Sequence, residues 1–230
     1  MQSLLTDSVF FGVTLSIVAY LVGDLLKKKT GLGFFNPLLI AIAICIAVLA
    51  VSGVDYDTYN ESAHYLSWFL TPATVCLAVP LYEQLELLKK NWQAMLLGIG
   101  AGVMTSVVTV FVLAKLLGLN HQEYVTLLPK SITTAIGMGV SEELGGYVTI
   151  TVAVIIITGV LGNILAELIC KIFKIEHPIA KGLAIGSASH AIGTAKAMEM
   201  GEIEGAISSL AIAVAGVLTV VAASVFANLL

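Results

Sequence analysis

Apolar runs separated by short polar stretches dominate this chain: 8–23, 32–51, 62–82, 92–114, 124–140, 147–166, 179–200 and 207–230. Four of them (32–51, 92–114, 147–166 and 207–230) carry no charged side chain. Each of these four is long enough to cross a hydrocarbon core, which takes about 20 helical residues. The other four are shorter or interrupted. The run 8–23 lies between Asp7 and Asp24, and 62–82 contains Pro72 and Pro80. The run 124–140 contains Pro129 and Lys130, and 179–200 contains Lys181, His190, Lys196 and Glu199. Proline removes a backbone donor and clashes with the preceding turn. In lipid, a freed backbone group needs a partner from protein or trapped water. These four shorter or interrupted runs are therefore expected to face the interior of the molecule; for any single proline a simple kink is the alternative.

Composition sharpens the picture. The 230 residues are 58% hydrophobic and 11% charged, with mean hydropathy +1.00. That excludes a soluble globular domain, a disordered chain and a small disulfide scaffold. The expectation is an all-α polytopic membrane protein, a single integral membrane domain over 1–230 with about six to eight membrane segments. A net charge of −4 without a basic stripe excludes a nucleic-acid partner. All 11 basic residues are lysine, so no bidentate arginine clamp is available. Cys45, Cys76 and Cys170 sit in apolar runs without CxxC spacing and read as small buried hydrophobes. Residues 1–7 lack the basic start and cleavage site of a signal peptide, so the first apolar run is expected to be retained.

The chain also resembles itself. Thr71-Pro72-Ala73-Thr74, Glu83 and Glu86 recur in position as Ser187-Ala188-Ser189-His190, Glu199 and Glu202, an offset of 116 (71 to 187, 83 to 199). At that offset Gly23 meets Gly139 and Gly100 meets Gly216. The order long–broken–long recurs in two repeats, 4–118 and 120–230, a feature of secondary transporters. Lysine clusters at 27–29, 89–90 and 171–181 fall on one side if the first and fifth runs enter and leave by the same face. Each half then crosses three times and the repeats are inverted, with paired broken helices. The alternative is a first run that crosses and one later re-entrant run.

Three polar constellations interrupt the apolar background. Thr71 and Thr74 flank Pro72; Ser187, Ser189, His190 and Thr194 lie in 186–194; Lys130, Ser131 and Thr133 follow Pro129. A broken helix leaves unpaired N–H groups at the start of its second half, and its dipole makes that end partly positive. Two such ends meeting at the midplane would hold a small organic anion, with hydroxyls and Lys130 as further donors. The competing reading is that these hydroxyls bond back to their own helices, and that Lys130 snorkels to an interface. His190 titrates near neutrality when unperturbed and is the first candidate for proton coupling. Glu199 and Glu202 are candidates for cation coupling, against a solvated acidic loop over 199–204. Glu167 and Lys171 read as an i,i+4 pair, and Asn36-Pro37 as a helix start. No metal-ligand spacing, HExxH, GxSxG or Walker loop occurs, so the sequence reads as a non-enzyme without cofactor.

The stretches Leu127-Leu128-Pro129-Lys130-Ser131-Ile132-Thr133-Thr134, Gly186-Ser187-Ala188-Ser189-His190-Ala191-Ile192-Gly193-Thr194-Ala195, Gly201-Glu202 and Ser208-Ser209-Leu210 resemble the LrgB/CidB family. Asn36-Pro37, 71–74 and 78–82 fit as well, so the resemblance spans essentially the whole chain. Ala135 departs from the proline expected after the threonine pair, which leaves the helix shape there open. The resemblance implies a multi-pass protein of the bacterial inner membrane and a small LrgA/CidA-type membrane partner. It offers two activities: holin- or antiholin-like control of murein hydrolases and lysis, or movement of small monocarboxylates such as glycolate, glycerate or pyruvate. The expected function is a monocarboxylate transporter, with antiholin-like lysis control as the alternative. A homodimer through glycine-bearing helices is expected.

Overall fold

The computed structural model describes residues 10–30, 36–69, 72, 75–76 and 78–230. Among these every regular element is helical, and the chain divides into two compact units, Met1–Cys76 and Leu77–Leu230.

The first unit holds α1 (Phe11–Thr30), α2 (Pro37–Ser52), α3 (Tyr56–Ala63) and a 3-10 turn (His64–Phe69). The Asn36 carboxamide accepts the Leu38 and Leu39 N–H groups, and Pro37 occupies the first helical position. The run expected at 32–51 thus becomes a helix at Pro37. α1 is tied to α3 where the Gly12 N–H donates to Ser62 Oγ (2.6 Å) and Tyr59 OH meets Ser16 Oγ (2.7 Å). α1, α2 and α3 line a largely apolar open cleft of about 550 Å³ with Ser16, Cys45 and Tyr59 on its wall. Of the run expected over 62–82, the described parts include the end of α3 at Ala63, the 3-10 turn His64–Phe69 and a short helix over Ala78–Glu83.

The second unit holds α4 (Ala78–Glu83), α5 (Leu85–Leu117), α6 (His121–Leu127), α7 (Thr134–Glu143), α8 (Val148–Ile172), α9 (Pro178–Met200), α10 (Glu202–Phe226) and a terminal turn. Leu85–Leu117, Val148–Ile172 and Glu202–Leu229 are long and apolar enough to cross a membrane. The chain is an all-helical membrane protein. α10 packs on α9 and α5, and α9 packs on α8. The buried face of α10 is built from small residues, including Gly205, Ala206, Ser208, Ala211, Ala215 and Gly216. In lipid such faces let backbones approach and gain dispersion contact, because no hydrophobic force separates helix from tail.

α5 ends at Gly118, whose φ of 68° a side chain would resist. Asn120 then caps α6 in a reciprocal box with Glu123. The Tyr124 hydroxyl donates to the Phe226 carbonyl (3.0 Å), tying α6 to the far end of α10. From α6 the chain turns through 128–133, returns along α7, and arrives back beside Thr126. There the Tyr147 N–H donates to Thr126 Oγ1 (2.8 Å). The segment predicted at 124–140 is therefore a helical hairpin that turns at 128–133, with its tip at 129–133 and the start of α8 packed back against Thr126.

A buried knot closes the hairpin. The Thr151 hydroxyl of α8 lies 2.9 Å from the Thr126 carbonyl and 2.7 Å from Ser141 Oγ. Both Thr151 and Ser141 are fully buried. Thr151→Val keeps the shape but leaves these partners unpaired, at a cost of about 1–3 kcal/mol. Thermal unfolding of the detergent-solubilised protein should show this loss, with Thr151→Ser close to wild type.

Candidate functional site

The backbone of α9 leaves the helical region at Ser189 (φ −135°, ψ 17°) and His190 (φ 42°, ψ −142°). Positive φ at a residue with a Cβ costs about 1–3 kcal/mol and persists only where the surroundings impose it. They do so from three helices. His190, 3% exposed, places Nε2 3.0 Å from the Ile155 carbonyl of α8. A carbonyl only accepts, so Nε2 carries a proton; in the neutral ring Nδ1 is then the acceptor. The Thr194 hydroxyl donates to the His190 carbonyl (2.9 Å), which uses its single proton. In the 2.7 Å contact between Thr194 and Ser208 of α10, Ser208 is therefore the donor. Asn163 Nδ2 of α8 donates to the Ile192 carbonyl (2.8 Å) in the second half of α9.

Two glycines make room for the break. A Cβ at Gly159 would lie 2.7 Å from His190 Cε1, and one at Gly162 would overlap the Ser189 side chain. Gly159, Gly162 and Asn163 thus form a slot on α8 into which the interrupted turn of α9 fits. The remaining hydroxyls turn inward: Ser187 donates to the Leu183 carbonyl (2.7 Å) and Ser189 to the Ile185 carbonyl (3.1 Å). Among the described residues every buried side-chain nitrogen and oxygen has a partner.

The hairpin tip carries the other polar group. Lys130 Nζ donates to Ser131 Oγ (3.0 Å), and Ser131 meets Ser106 of α5 at 3.0 Å. Thr133 precedes α7 and makes no side-chain cap to it. The tip and the α9 break share two walls. On α8, the Ile155 side chain packs over Gly137 of α7 while its carbonyl holds His190. On α5, Gly102 lies under Ser187, where a Cβ would come within 2.8 Å of Oγ, and Ser106 lies one turn further along. Lys130 and Ser131 are thereby brought to the same wall as Ser187, Ser189, His190 and Thr194. Thr71 and Thr74 lie outside the described residues.

The acidic residues take other positions than expected. No loop spans 199–204: α9 ends at Met200, Gly201 alone intervenes, and α10 begins at Glu202. Glu204 is buried, 3.9 Å from Lys181 Nζ. Glu199 pairs with Lys196 (3.2 Å), while Glu202 is exposed beside a small cavity that also includes Glu83. Glu167 pairs across helices with Lys196 (2.6 Å) and not with Lys171. Lys196 is largely covered, so its charge recruits carboxylates from two sides, whereas Lys171 faces an open cavity with Lys174 and Lys181. Cys170 is buried as expected, but Cys45 is half-buried and Cys76 exposed, in a protein whose outer surface is itself apolar. Among the described residues no group of three or more His, Cys, Asp or Glu could hold a metal ion.

Sequence reasoning passed over most of the residues that hold the break and the tip: Gly102, Ser106, Gly159, Gly162 and Asn163. Their signal is modest but present, since a lone hydroxyl or amide in a span free of charge needs a partner.

The LrgB-like family profile matches residues 16–229. The antiholin-like protein LrgB of Bacillus cereus (strain B4264) is 42% identical over 222 residues, 96% of each chain. The antiholin-like protein LrgB of Bacillus anthracis (strain A0248) is similar to the same degree over the same share of each chain. The chain belongs to the LrgB family. No solved structure matches it. The residues of α8, α9 and α10 that build the α9 break all fall inside the family match.

Proposed function

We propose that this LrgB-family chain acts as an antiholin-like protein, a multi-pass protein of the bacterial inner membrane that restrains permeability and thereby murein hydrolase activity and lysis. The observation that carries this reading is its 42% identity, over 96% of both chains, to proteins named antiholin-like. The bundle supports it: the polar groups of the α9 break are satisfied internally, as a sealed membrane protein requires. Its partner is a small LrgA/CidA-type membrane protein, and the chain itself forms a homodimer. Deleting the gene should raise murein hydrolase activity in zymograms and hasten dye entry after energy poisoning, with both reversed by the cloned chain. Unchanged lysis in the deletion strain overturns this reading.

A second reading is favoured by one feature, a strained break and a lysine-bearing hairpin tip against the same walls inside an apolar bundle. It makes the chain a carrier of small monocarboxylates, built from an internal duplication over 4–118 and 120–230 with inverted halves. His190 is then the coupling group, with Glu199 and Glu202 as outer acidic residues. Saturable counterflow of a labelled 2-hydroxy acid in proteoliposomes supports the carrier; permeability without saturation supports the first reading alone.

A further inference from the structure

The lysines inside the second unit differ in one respect. Lys196, with its side chain 18% exposed, lies between Glu167 (2.6 Å) and Glu199 (3.2 Å). Lys181, 25% exposed, lies 3.9 Å from the buried Glu204. Lys130 is partly buried, yet its hydrogen-bond partner among the described residues is the Ser131 hydroxyl, and none of their carboxylates comes within ion-pair distance.

Its depth gives this weight. The contact runs from Lys130 Nζ to Ser131 and on to Ser106 in two steps of 3.0 Å, so the ammonium lies within about 6 Å of Ser106 Oγ. The charges bounding the apolar stretch of α5 are Lys90 and Lys115. At about 1.5 Å per residue, Ser106 is some 13 Å from the nearer one and about 5 Å from the midpoint between them. The ammonium is folded back onto Ser131 beside the apolar stretch of α5, short of the level of Lys115. An ammonium at that depth is costly unless an anion faces it. Two of its three N–H donors are uncommitted, and the Thr133 hydroxyl three residues on makes no cap.

We propose that Lys130, with Ser131, Ser106 and Thr133, forms the binding site for a small monovalent anion, and that the α9 break does not bind it directly. The break positions the walls: its hydroxyls and imidazole are each committed to a named partner. This assignment deepens the carrier reading but rests on binding alone, so it survives if transport is absent.

The test is thermal unfolding of the full chain in detergent, titrated with sodium formate, acetate and chloride, with sodium gluconate as a bulky reference at equal ionic strength. Wild type should show a saturable rise in Tm with at least one small anion and none with gluconate; acetate against chloride tells a carboxylate site from a halide site. Lys130→Gln should abolish the rise, and Lys130→Arg should retain it. Ser106→Ala should weaken apparent affinity three- to tenfold. Thr194→Val should lower the starting Tm while keeping the rise. The proposal is overturned if no small anion shifts wild type, or if Lys130→Gln responds like wild type. Should Lys130→Gln fail to fold, an unchanged response in Ser106→Ala with an equal response to gluconate overturns it. A saturable Tm shift without counterflow leaves this site standing and removes the carrier reading.

Discussion

Gly162→Ala should destabilise the protein by about 1–3 kcal/mol, the usual cost of forcing one extra carbon into a packed interior. The new Cβ would overlap both Oγ and Cβ of Ser189. Rotating the serine moves Oγ but cannot move its Cβ, so the backbone of α9 has to retreat from α8. That retreat loosens the other contacts of the same turn, the His190–Ile155 and Asn163–Ile192 hydrogen bonds. Gly100→Ala is the matched control: it lies in α5, where a Cβ meets nothing within 4 Å. There the substitution should be neutral or stabilise by about 0.5–1 kcal/mol, since alanine is the better helix former. Thermal unfolding of both variants in one detergent checks the pair. Equal Tm values would mean that α8 and α9 do not meet at this glycine.

The parts of this fold that could be read from sequence are those in which lipid leaves one solution. The charge-free runs 92–114, 147–166 and 207–230 became α5, α8 and α10 because a backbone in hydrocarbon must satisfy itself as a helix. Pro129 and the Ser187–Thr194 stretch marked interruptions for the same reason in reverse: each supplies something a regular helix does not need. The misplaced boundaries lie where lipid no longer constrains the chain. α5 begins at Leu85, seven residues before its apolar run, because Glu86, Lys89 and Lys90 are as good in a helix as in a loop. In sequence the acidic stretch after 199 offers a solvated loop as one of its two readings, yet Glu204 is buried. That difference is tertiary in origin, since its partner Lys181 lies on the preceding helix. Glu167 shows the same: periodicity offers Lys171, but packing delivers Lys196. The site divides along this line too. Which residues are polar is visible in sequence; that Gly159 and Gly162 form the seat for Ser189 and His190 depends on α8 and α9 meeting.

His190→Gly should be more stable than His190→Ala, an inversion of the ordinary helix ranking. In a regular helix glycine is worse than alanine by about 1 kcal/mol. At His190 the backbone sits at φ 42°, ψ −142°, close to a region that only glycine enters freely. Both variants lose the bond from Nε2 to the Ile155 carbonyl and leave the space of the ring empty. They therefore differ in the backbone alone, and relief of the strain should favour glycine by about 1–2 kcal/mol. Alanine has a second outcome open to it: with the imidazole anchor gone, α9 can straighten, which withdraws the His190 carbonyl from Thr194 and displaces Ser189 from Gly162. Melting curves measure the ranking, and cysteine accessibility along residues 186–194 reads the straightening. The glycine variant then isolates the ring. If it folds with the break intact but no longer restrains lysis or moves acid, the imidazole itself is functional. If it behaves as wild type while the alanine variant fails, the protein needs the bend and not the ring. Alanine equal to or more stable than glycine would mean that the strained backbone at this position is not the resting state of the protein.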